Sequence, residues 1–115
     1  IVFDKPIASK QLIQQKLAWM AVELAKAQIT VLHYARIKEQ GDLLPAQVSL
    51  CKKNNVGVSL EIARVARSIL AGNGILLEYP VIRHMLNLES VFTYEGTDEV
   101  HTLVLGQALT GLNAF

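Results

Sequence analysis

Apolar residues recur at intervals of three and four positions through most of this chain, which is the spacing of one face of an α-helix. The first periodic run follows a turn at Pro6 or Ser9 and ends at Gly41 and Asp42. Two apolar lines run side by side through it: Ile13, Leu17, Met20, Leu24, Ala27, Val31 and Tyr34, then Ala18, Val22, Ala25, Ile29 and Leu32. A band this wide predicts a helix about 45 Å long that packs on more than one side.

A second long helix is predicted from Pro45, because proline suits the first helical position. Its predicted buried line is Val48, Cys51, Val58, Ile62, Val65 and Ile69. Poor helix formers interrupt its middle at Asn54, Asn55 and Gly57, which indicates a close helix crossing or a buried polar contact. The segment 72–74, Gly-Asn-Gly, predicts that a left-handed cap ends this helix.

Two shorter helices follow, joined by the segment TYEGT at residues 93–97. The third begins at Pro80 and extends to about Phe92, while Thr97 caps the fourth, with Asp98 and Glu99 at its positive end. Their apolar lines are Val81, Met85, Leu88 and Phe92 with Ile82 and Val91, and then Val100, Leu103, Val104, Ala108 and Leu112. No segment alternates as a strand would. The predicted fold is therefore all-α, a four-helix bundle with two long and two shorter helices in one domain over 1–115.

The composition is rich in apolar residues for a domain of 115 residues, with 51% hydrophobic residues and a mean hydropathy of +0.31. A domain this small must keep much of its surface in water. We therefore expect apolar surface that another domain or another subunit covers. The chain begins with Ile1 rather than Met, which suggests a processed chain or a fragment.

The charge balance and the single cysteine narrow the possible functions. The 11 Lys and Arg residues nearly balance the 10 Asp and Glu residues and form no basic block, so nucleic acid is not an expected partner. No apolar run approaches the ~18 residues of a membrane span. Cys51 lies on the apolar side of a helix, which favours a small buried hydrophobe over a reactive thiol and fits a reducing compartment.

Metal and phosphate sites find little support in the sequence. A di-metal bundle needs Glu-x-x-His pairs, and none occurs. Asp98 and His101 share a helix face, where a solvent-facing ion pair is the favoured interpretation. The segment 71–74, AGNG, follows a helix rather than a strand, so the dinucleotide fingerprint fails. The remaining isolated candidates are predicted to be ordinary surface residues: His33, His84, Arg64 and Arg67.

Glu95 in the TYEGT segment allows two interpretations. A loop carboxylate beside a helix start is common and needs no function. Yet Gly96 removes a side chain where a ligand could approach the backbone, and Phe92 and Tyr94 could form apolar walls. A base in such a place would be partly desolvated, while the helix end favours its charged form. The residues alone leave both interpretations open.

Five separated motifs occur in one order along the chain: KQLIQQKLA (10–18), LAGNGI (70–75), EYPVIRH (78–84), NLE (87–89) and TYEGT (93–97). In this order they resemble the C-terminal helical domain of the flavin-dependent acyl-CoA dehydrogenases, and the resemblance spans essentially the whole chain. The segments VIRHMLNLESV and TYEGTDEVHTLVLGQALTGLNAF resemble the glutaryl-CoA type within that family.

The resemblance implies that Glu95 is the catalytic base. It would remove a proton from the carbon next to the acyl-CoA thioester while a hydride passes from the next carbon to FAD. The backbone N–H of Glu95 would donate to the thioester oxygen, and Gly96 would allow this close approach. Phe115 falls at the end that approaches substrate in glutaryl-type members. Those members also release carbon dioxide and form crotonyl-CoA, a step of lysine degradation.

The resemblance also implies FAD contacts at Gln11 and Thr97. A further contact segment would lie along the flavin of a neighbouring subunit: Ser68, Ile69, Leu70, Ala71 and Gly72. The chain departs from the usual family residues at three positions, where the family commonly has Gly, Gln and Gly: Asp4, Ser68 and Ala71.

Further expectations from the resemblance concern the whole protein. A homotetramer in the bacterial cytoplasm or mitochondrial matrix would pass its electrons to an electron-transfer flavoprotein. Family members carry an N-terminal helical domain and a middle β-domain that are absent here, so this chain alone is not expected to be active. Two alternatives stay open: a non-enzymatic helical oligomerisation module, and an acyl-CoA dehydrogenase of another chain specificity.

Overall fold

The structure is a computed structural model that describes residues 1–115. Four α-helices make up most of it: α1 (Gln11–Gln40), α2 (Pro45–Ile69), α3 (Pro80–Thr93) and α4 (Asp98–Thr110). Two short 3-10 helices, Ile7–Ser9 and Ala71–Ile75, precede α1 and follow α2. The chain forms no strand beyond one isolated bridge between Val2 and Lys5. These elements confirm the predicted all-α bundle.

Helix α2 is the central element of the bundle. It packs against α1, α3 and α4, and no other pair of these helices makes comparable contact. Its Leu60 is 2% exposed and Ala63 is also buried, as is Ala27 on α1. The result is an elongated molecule with extents of 57 × 24 × 24 Å. Because every long helix contacts α2, residues of α2 determine where the connecting loops lie.

The polar interruption of α2 makes a contact across helices, as the sequence indicated. The Asn55 side-chain amide donates to the carbonyl oxygen of Ala27 on α1 over 3.1 Å. The hydrogen bond satisfies an amide that is only partly exposed, which is the condition for placing it between helices at low cost. Gly57 marks no close helix crossing in this chain, because a Cβ added there would meet nothing within 4 Å.

Much apolar surface is exposed in this chain, as the composition predicted. Only 5 of the 115 residues are buried. On α1 the exposed side chains include Leu17, Val22, Leu24, Ile29, Val31 and Leu32. Helix α1 packs against α2 alone among the α-helices, so packing on more than one side is not met within the chain. The prediction that Val48 belongs to the buried line of α2 is wrong for this chain, since it is 49% exposed while Ser49 is buried.

The end of α2 differs from the prediction. The left-handed residue is Ala71, with φ of 51°, and the segment predicted as the cap instead continues as the 3-10 helix Ala71–Ile75. Gly74 meets a different requirement, since an added Cβ would lie 2.2 Å from the carbonyl oxygen of Arg67. The glycine therefore permits a close backbone approach rather than a positive φ.

The other helix ends follow the local signals in the sequence. Gly41 ends α1 with φ of 86°, and Pro45 is the first residue of α2. The Thr97 hydroxyl accepts a hydrogen bond from the Val100 N–H over 3.3 Å and so caps α4. None of the helices combines the length and the apolar character that a membrane crossing requires.

Candidate active site

A sharp turn connects α3 to α4 and carries Glu95. Helix α3 ends at Thr93, and the Tyr94 N–H still donates to the carbonyl oxygen of Ser90 over 3.0 Å. Glu95 and Gly96 then both adopt left-handed conformations, with φ of 54° and 90°. Glycine accepts such a φ freely, whereas a residue with a Cβ does so at a cost of about 1–2 kcal/mol. The turn therefore holds Glu95 in a conformation that its surroundings must stabilise.

Lys52 of α2 contacts the backbone of this turn. Its ammonium donates to the carbonyl oxygens of Tyr94, Glu95 and Gly96, with distances of 3.3 Å to Glu95 and 2.5 Å to Gly96. The nitrogen also lies 5.8 Å from the centroid of the Tyr94 ring. An ammonium has three protons to donate, and here three acceptors converge on it.

The next residue of α2, Lys53, fixes the start of α4. Its nitrogen lies 2.5 Å from a carboxylate oxygen of Asp98, in a partly buried pair. Asp98 thus pairs with Lys53 rather than with His101, and the predicted Asp98–His101 ion pair is wrong. Asp98 and His101 are three residues apart on α4, but each contacts a different residue of α2. Asp98 pairs with Lys53, and His101 contacts Ser49.

His101 packs inward beneath the turn. Its Nδ1 lies 3.0 Å from the hydroxyl oxygen of Ser49, which is buried in α2. Its Nε2 is buried and has no hydrogen-bond partner. A Cβ added at Gly96 would lie 2.9 Å from this Nε2. Gly96 is therefore required both by its positive φ and by the ring beneath it, in addition to any ligand above the turn.

The carboxylate of Glu95 forms no hydrogen bond or ion pair within the chain. Glu95 is exposed and forms no ion pair in the chain. Its backbone N–H donates to no carbonyl in the chain either. The apolar walls expected from Phe92 and Tyr94 are only partly present, because Tyr94 is 53% exposed and its ring lies beside Lys52. This chain alone does not remove the carboxylate from water.

Glu99 in the first turn of α4 has an altered acidity. Hydrogen bonds from its own backbone N–H and from the Thr97 hydroxyl hold the pKa of the Glu99 carboxyl below its ordinary value. The same Thr97 hydroxyl accepts the capping hydrogen bond from Val100, so Thr97 both caps α4 and lowers the pKa of Glu99. The stabilised charged form of Glu99 is the one that suits the positive end of the helix.

The predicted cofactor residues at the end of α2 line a concave surface. Four of them, Ile69, Leu70, Ala71 and Gly72, border a cleft of about 410 Å³, together with Ile1, Val2, Ile7 and Asn73. Ser68 lies beside the cleft residues, and its hydroxyl donates to the Val65 carbonyl over 2.7 Å and accepts from Lys16 over 3.0 Å. Apolar walls of this kind can hold a flat ligand such as part of a dinucleotide.

Gln11 belongs to the same end of the molecule. It is the first residue of α1 and is exposed. Lys16, five residues later on α1, contacts Ser68 at the end of α2. The predicted cofactor residues Gln11 and 68–72 therefore lie near one another.

The turn of Glu95 lies elsewhere along α2. Lys52 contacts the turn and Ser68 lies beside the cleft. Their separation of 16 positions in sequence corresponds to roughly 24 Å of helix. Thr97 is on the Glu95 side of this separation. The structure thus places the predicted cofactor residues in two groups at different levels along α2. Phe115 is exposed beyond α4, and no hydrogen bond joins it to the turn.

Several other candidates are ordinary structural residues. No group of three or more His, Cys, Asp or Glu residues is arranged to hold a metal ion. Burial raises the pKa of the Cys51 thiol, which favours the unreactive protonated form. Arg64 is half exposed and pairs with Glu89 of α3 over 2.7 Å, so it links two helices as well as facing solvent. Such a surface pair adds little stability.

Lys52 and Lys53 were not identified from the sequence, although one weak signal exists. Neither lysine has an acidic residue three or four positions away on its own helix. A helical cation without such a neighbour is free to pair with another element. Ser49 carries no comparable signal, because a hydroxyl on a helix gives no indication of a partner 52 residues away.

The chain belongs to the family described as acyl-CoA dehydrogenase, C-terminal domain, which it matches over residues 1–110. This assignment confirms the resemblance inferred from the five motifs. The proteins of this family are FAD-dependent oxidoreductases.

Solved structures of related proteins carry the comparison further. Two structures of glutaryl-CoA dehydrogenase from Mycobacterium smegmatis, one of them in complex with FADH2, match 100% of this chain with a TM-score of 0.96 each. Their sequence identities are 57% and 53%, and the chain covers 30% of each solved chain. The short-chain specific acyl-CoA dehydrogenase of Megasphaera elsdenii is 34% identical over 109 residues, which are 95% of this chain and 28% of that protein. The chain therefore spans less than a third of the length of these relatives.

Proposed function

We propose that this chain is the C-terminal part of a FAD-dependent acyl-CoA dehydrogenase that oxidises glutaryl-CoA, with Glu95 as the catalytic base. One observation carries the proposal. Glu95 presents both a carboxylate without a partner and a backbone N–H without an acceptor, at a turn that α2 holds in place. A base and an oxyanion donor at one residue are the two groups that enolate formation from a thioester needs.

The chemistry follows from these two groups. The thioester oxygen would accept a hydrogen bond from the Glu95 N–H, which stabilises the negative charge that develops on this oxygen. The carboxylate would then take the proton of the adjacent carbon, and a double bond would form to the next carbon as its hydride leaves. FAD supplies the hydride acceptor for this step. Gly96 leaves room above the turn for the thioester, because no side chain projects from it.

Removal of the Glu95 carboxylate from water requires parts of the protein beyond this chain. The carboxylate of Glu95 is exposed here, and a carboxylate in water is a weak base with a reference pKa of ~4.3. The N-terminal helical domain and the middle β-domain that the resemblance implies would close the site from the other side. We therefore propose that the isolated chain is inactive and that the complete enzyme includes both domains.

The division of the cofactor residues supports a site shared between subunits. Gln11 and the cleft residues 69–72 lie at one end of α2, while Thr97 lies beside Glu95, roughly 24 Å away along the helix. We propose that Thr97 contacts the FAD that accepts hydride from the substrate on Glu95. Gln11, Ser68 and the cleft residues would contact the FAD of a neighbouring subunit in a homotetramer.

The glutaryl-CoA specificity is the finer part of the proposal. It is supported by the 57% identity with the Mycobacterium smegmatis enzyme, compared with 34% for the Megasphaera elsdenii enzyme. The product would lose its far carboxylate and become crotonyl-CoA, with Phe115 near the acyl chain. An electron-transfer flavoprotein would reoxidise the FAD, in the bacterial cytoplasm or mitochondrial matrix, as part of lysine degradation.

The test is the visible spectrum of the protein made from the complete gene, before and after anaerobic addition of glutaryl-CoA. We expect a flavin band that bleaches, and a loss of this bleaching in Glu95→Gln. The Gln variant keeps the N–H and the side-chain size, so a loss isolates the role of the base. A flavin band that bleaches only with other acyl-CoA esters would contradict the glutaryl-CoA specificity. It would still support an acyl-CoA dehydrogenase reaction.

A second candidate function is a non-enzymatic helical oligomerisation module. The exposed apolar face of α1 favours it, and so do the departures Asp4, Ser68 and Ala71 at positions that the resemblance links to FAD. Ala71 also adopts a φ of 51°, where the glycine common in the family would be unstrained. A complete protein that forms a stable oligomer but contains no flavin and takes none up would support this candidate over the dehydrogenase.

A further inference from the structure

We infer that Lys52 is a positioning residue for the catalytic base, and that its ammonium holds Glu95 in the conformation that aims its carboxylate and N–H at substrate. The inference rests on the proposed function of Glu95. It adds a residue on another helix, whose observed hydrogen bonds go to the backbone carbonyls around the base.

The geometry of the turn explains why a cation is needed there. Three successive carbonyls, those of Tyr94, Glu95 and Gly96, direct their oxygens at one nitrogen. Without a cation between them, three partial negative charges would repel one another at close range. Charge-assisted hydrogen bonds are roughly twice as strong as neutral ones, which makes an ammonium an effective centre for this cluster.

The end of α3 adds to this requirement. A helix C-terminus carries partial negative charge, and α3 has no basic residue of its own in its last turn. Tyr94 is the C-cap residue of α3, and its carbonyl is one of the three that Lys52 binds. Lys52 therefore supplies the cation that α3 lacks, at the residue immediately before the base.

The contacts also leave the reactive groups free. The carbonyls of the turn face α2, while the N–H of Glu95 and its carboxylate are without partners in the chain. Lys53 fixes Asp98 at the other side of the turn. Lys52 thus binds the backbone on both sides of Glu95, and Lys53 binds the Asp98 side chain. Neither lysine uses the carboxylate or the N–H of Glu95.

The experiment uses the complete enzyme and compares three variants: Lys52→Met, Lys52→Arg and Lys26→Met. Methionine keeps most of the length and apolar volume of the side chain and removes the cation. Lys26 is the matched control, because its side chain is 61% exposed and its ion pair is with Glu23 of the same helix. Rapid-mixing kinetics give the limiting rate of flavin reduction, the Kd for acyl-CoA and the FAD content of each variant.

We expect Lys52→Met to lower the limiting rate of flavin reduction by about 10- to 100-fold, since misplacement of a reacting group by about 1 Å has effects of this size. Acyl-CoA affinity and FAD content should stay within about twofold, because the hydrogen bonds of Lys52 go to the carbonyls of the turn. Lys52→Arg should recover part of the rate, since the positive charge remains. The planar guanidinium cannot direct three N–H groups from one nitrogen at the three carbonyls, so the recovery should be incomplete. Lys26→Met should match the unaltered enzyme.

A crystal structure of the Lys52→Met enzyme provides a readout that does not depend on activity. We expect Glu95 to leave the left-handed region or its Cα to shift. A fall in rate with an unchanged turn would overturn the inference, and so would a changed turn with an unchanged rate. A parallel loss of FAD and acyl-CoA binding would also overturn it, because it would indicate a general structural role.

The failure of the proposed function would look different. If the unaltered enzyme reduces no flavin with any acyl-CoA, or if Glu95→Gln keeps its rate, the assignment of the base is wrong. The crystal structure of Lys52→Met would still show whether Lys52 sets the conformation of the turn. A turn that keeps its φ values without the lysine would exclude the contact as the cause of the conformation.

Discussion

The imidazole ring of His101 lies directly against the backbone of Gly96, so that a Cβ at Gly96 would be 2.9 Å from His101 Nε2. The ring is held there from below by the contact of its Nδ1 with Ser49 of α2, 3.0 Å away. A residue of α4, a residue of the turn and a residue of α2 are therefore stacked in one column. This packing leaves no room for a side chain at Gly96 unless the ring shifts.

We predict that Gly96→Ala destabilises the protein by more than about 1 kcal/mol. The alanine must adopt a φ of 90°, and its Cβ must displace the His101 ring. The measurement is the free energy of unfolding in denaturant. Gly106→Ala is the matched control, since Gly106 lies within α4 and a Cβ there meets nothing within 4 Å. We expect this control to stabilise helix α4 by about 0.5–1 kcal/mol.

The double variant Gly96→Ala/His101→Ala separates the two causes. Removal of the ring should recover the part of the loss that comes from the close contact and leave the part that comes from backbone strain. If His101→Ala recovers nothing, the contact with the ring does not contribute to the requirement for glycine.

A second glycine pair tests the connection after α2. We predict that Gly74→Ala lowers the free energy of unfolding by about 1–3 kcal/mol, as overpacking at a rigid contact does, because the Cβ would lie 2.2 Å from the Arg67 carbonyl oxygen. Gly72→Ala, two residues earlier, should change it by less than about 1 kcal/mol, since nothing lies within 4 Å of the added Cβ. Equal effects at the two positions would contradict the close approach.

The lowered pKa of Glu99 predicts a pH-dependent contribution to stability. The folded state binds the proton of Glu99 more weakly than the unfolded chain does, so its charged form stabilises the fold. This contribution is fully present above the ordinary pKa and is lost as pH falls through the lowered value. We therefore expect Glu99→Gln to lower the Tm at pH 7 and to have a smaller effect in acid.

The control for Glu99→Gln is Asp42→Asn, which removes an exposed carboxylate from the loop between α1 and α2. Thermal unfolding of both variants across the acidic range gives the comparison. Thr97→Val should remove part of the pH dependence of Glu99, because the Thr97 hydroxyl donates one of the hydrogen bonds that lower its pKa. A Glu99 effect that grows as the pH falls would contradict the assigned direction.

Partial burial of Cys51 predicts slower reaction with alkylating reagents at neutral pH, since the raised pKa reduces the thiolate fraction. Iodoacetamide labelling followed by peptide mass spectrometry measures the rate, with the unfolded protein as the reference for full reactivity. We expect the folded protein to react at Cys51 at least about tenfold more slowly. Equal rates in the folded and unfolded protein would show that the thiol is accessible.

The helices could be predicted because their signals are local. Periodicity, the prolines at 45 and 80, Gly41 after α1 and the Thr97 cap each act within a few residues, and the structure confirms their positions. The TYEGT segment, as a motif, likewise indicated a turn between helices. The family resemblance rested on the same kind of information, since the five motifs are short stretches of adjacent residues.

The tertiary structure alone decided how those elements support the candidate site. Lys52 reaches carbonyls more than 40 residues away, Ser49 faces His101 across 52, and Asp98 takes Lys53 as its partner. The left-handed residue after α2 proved to be Ala71, while Gly74 lies where the backbone closely approaches the Arg67 carbonyl. Such contacts depend on how three helices rotate against α2. Rotation follows from the packing of whole helix faces, which no short stretch of sequence contains.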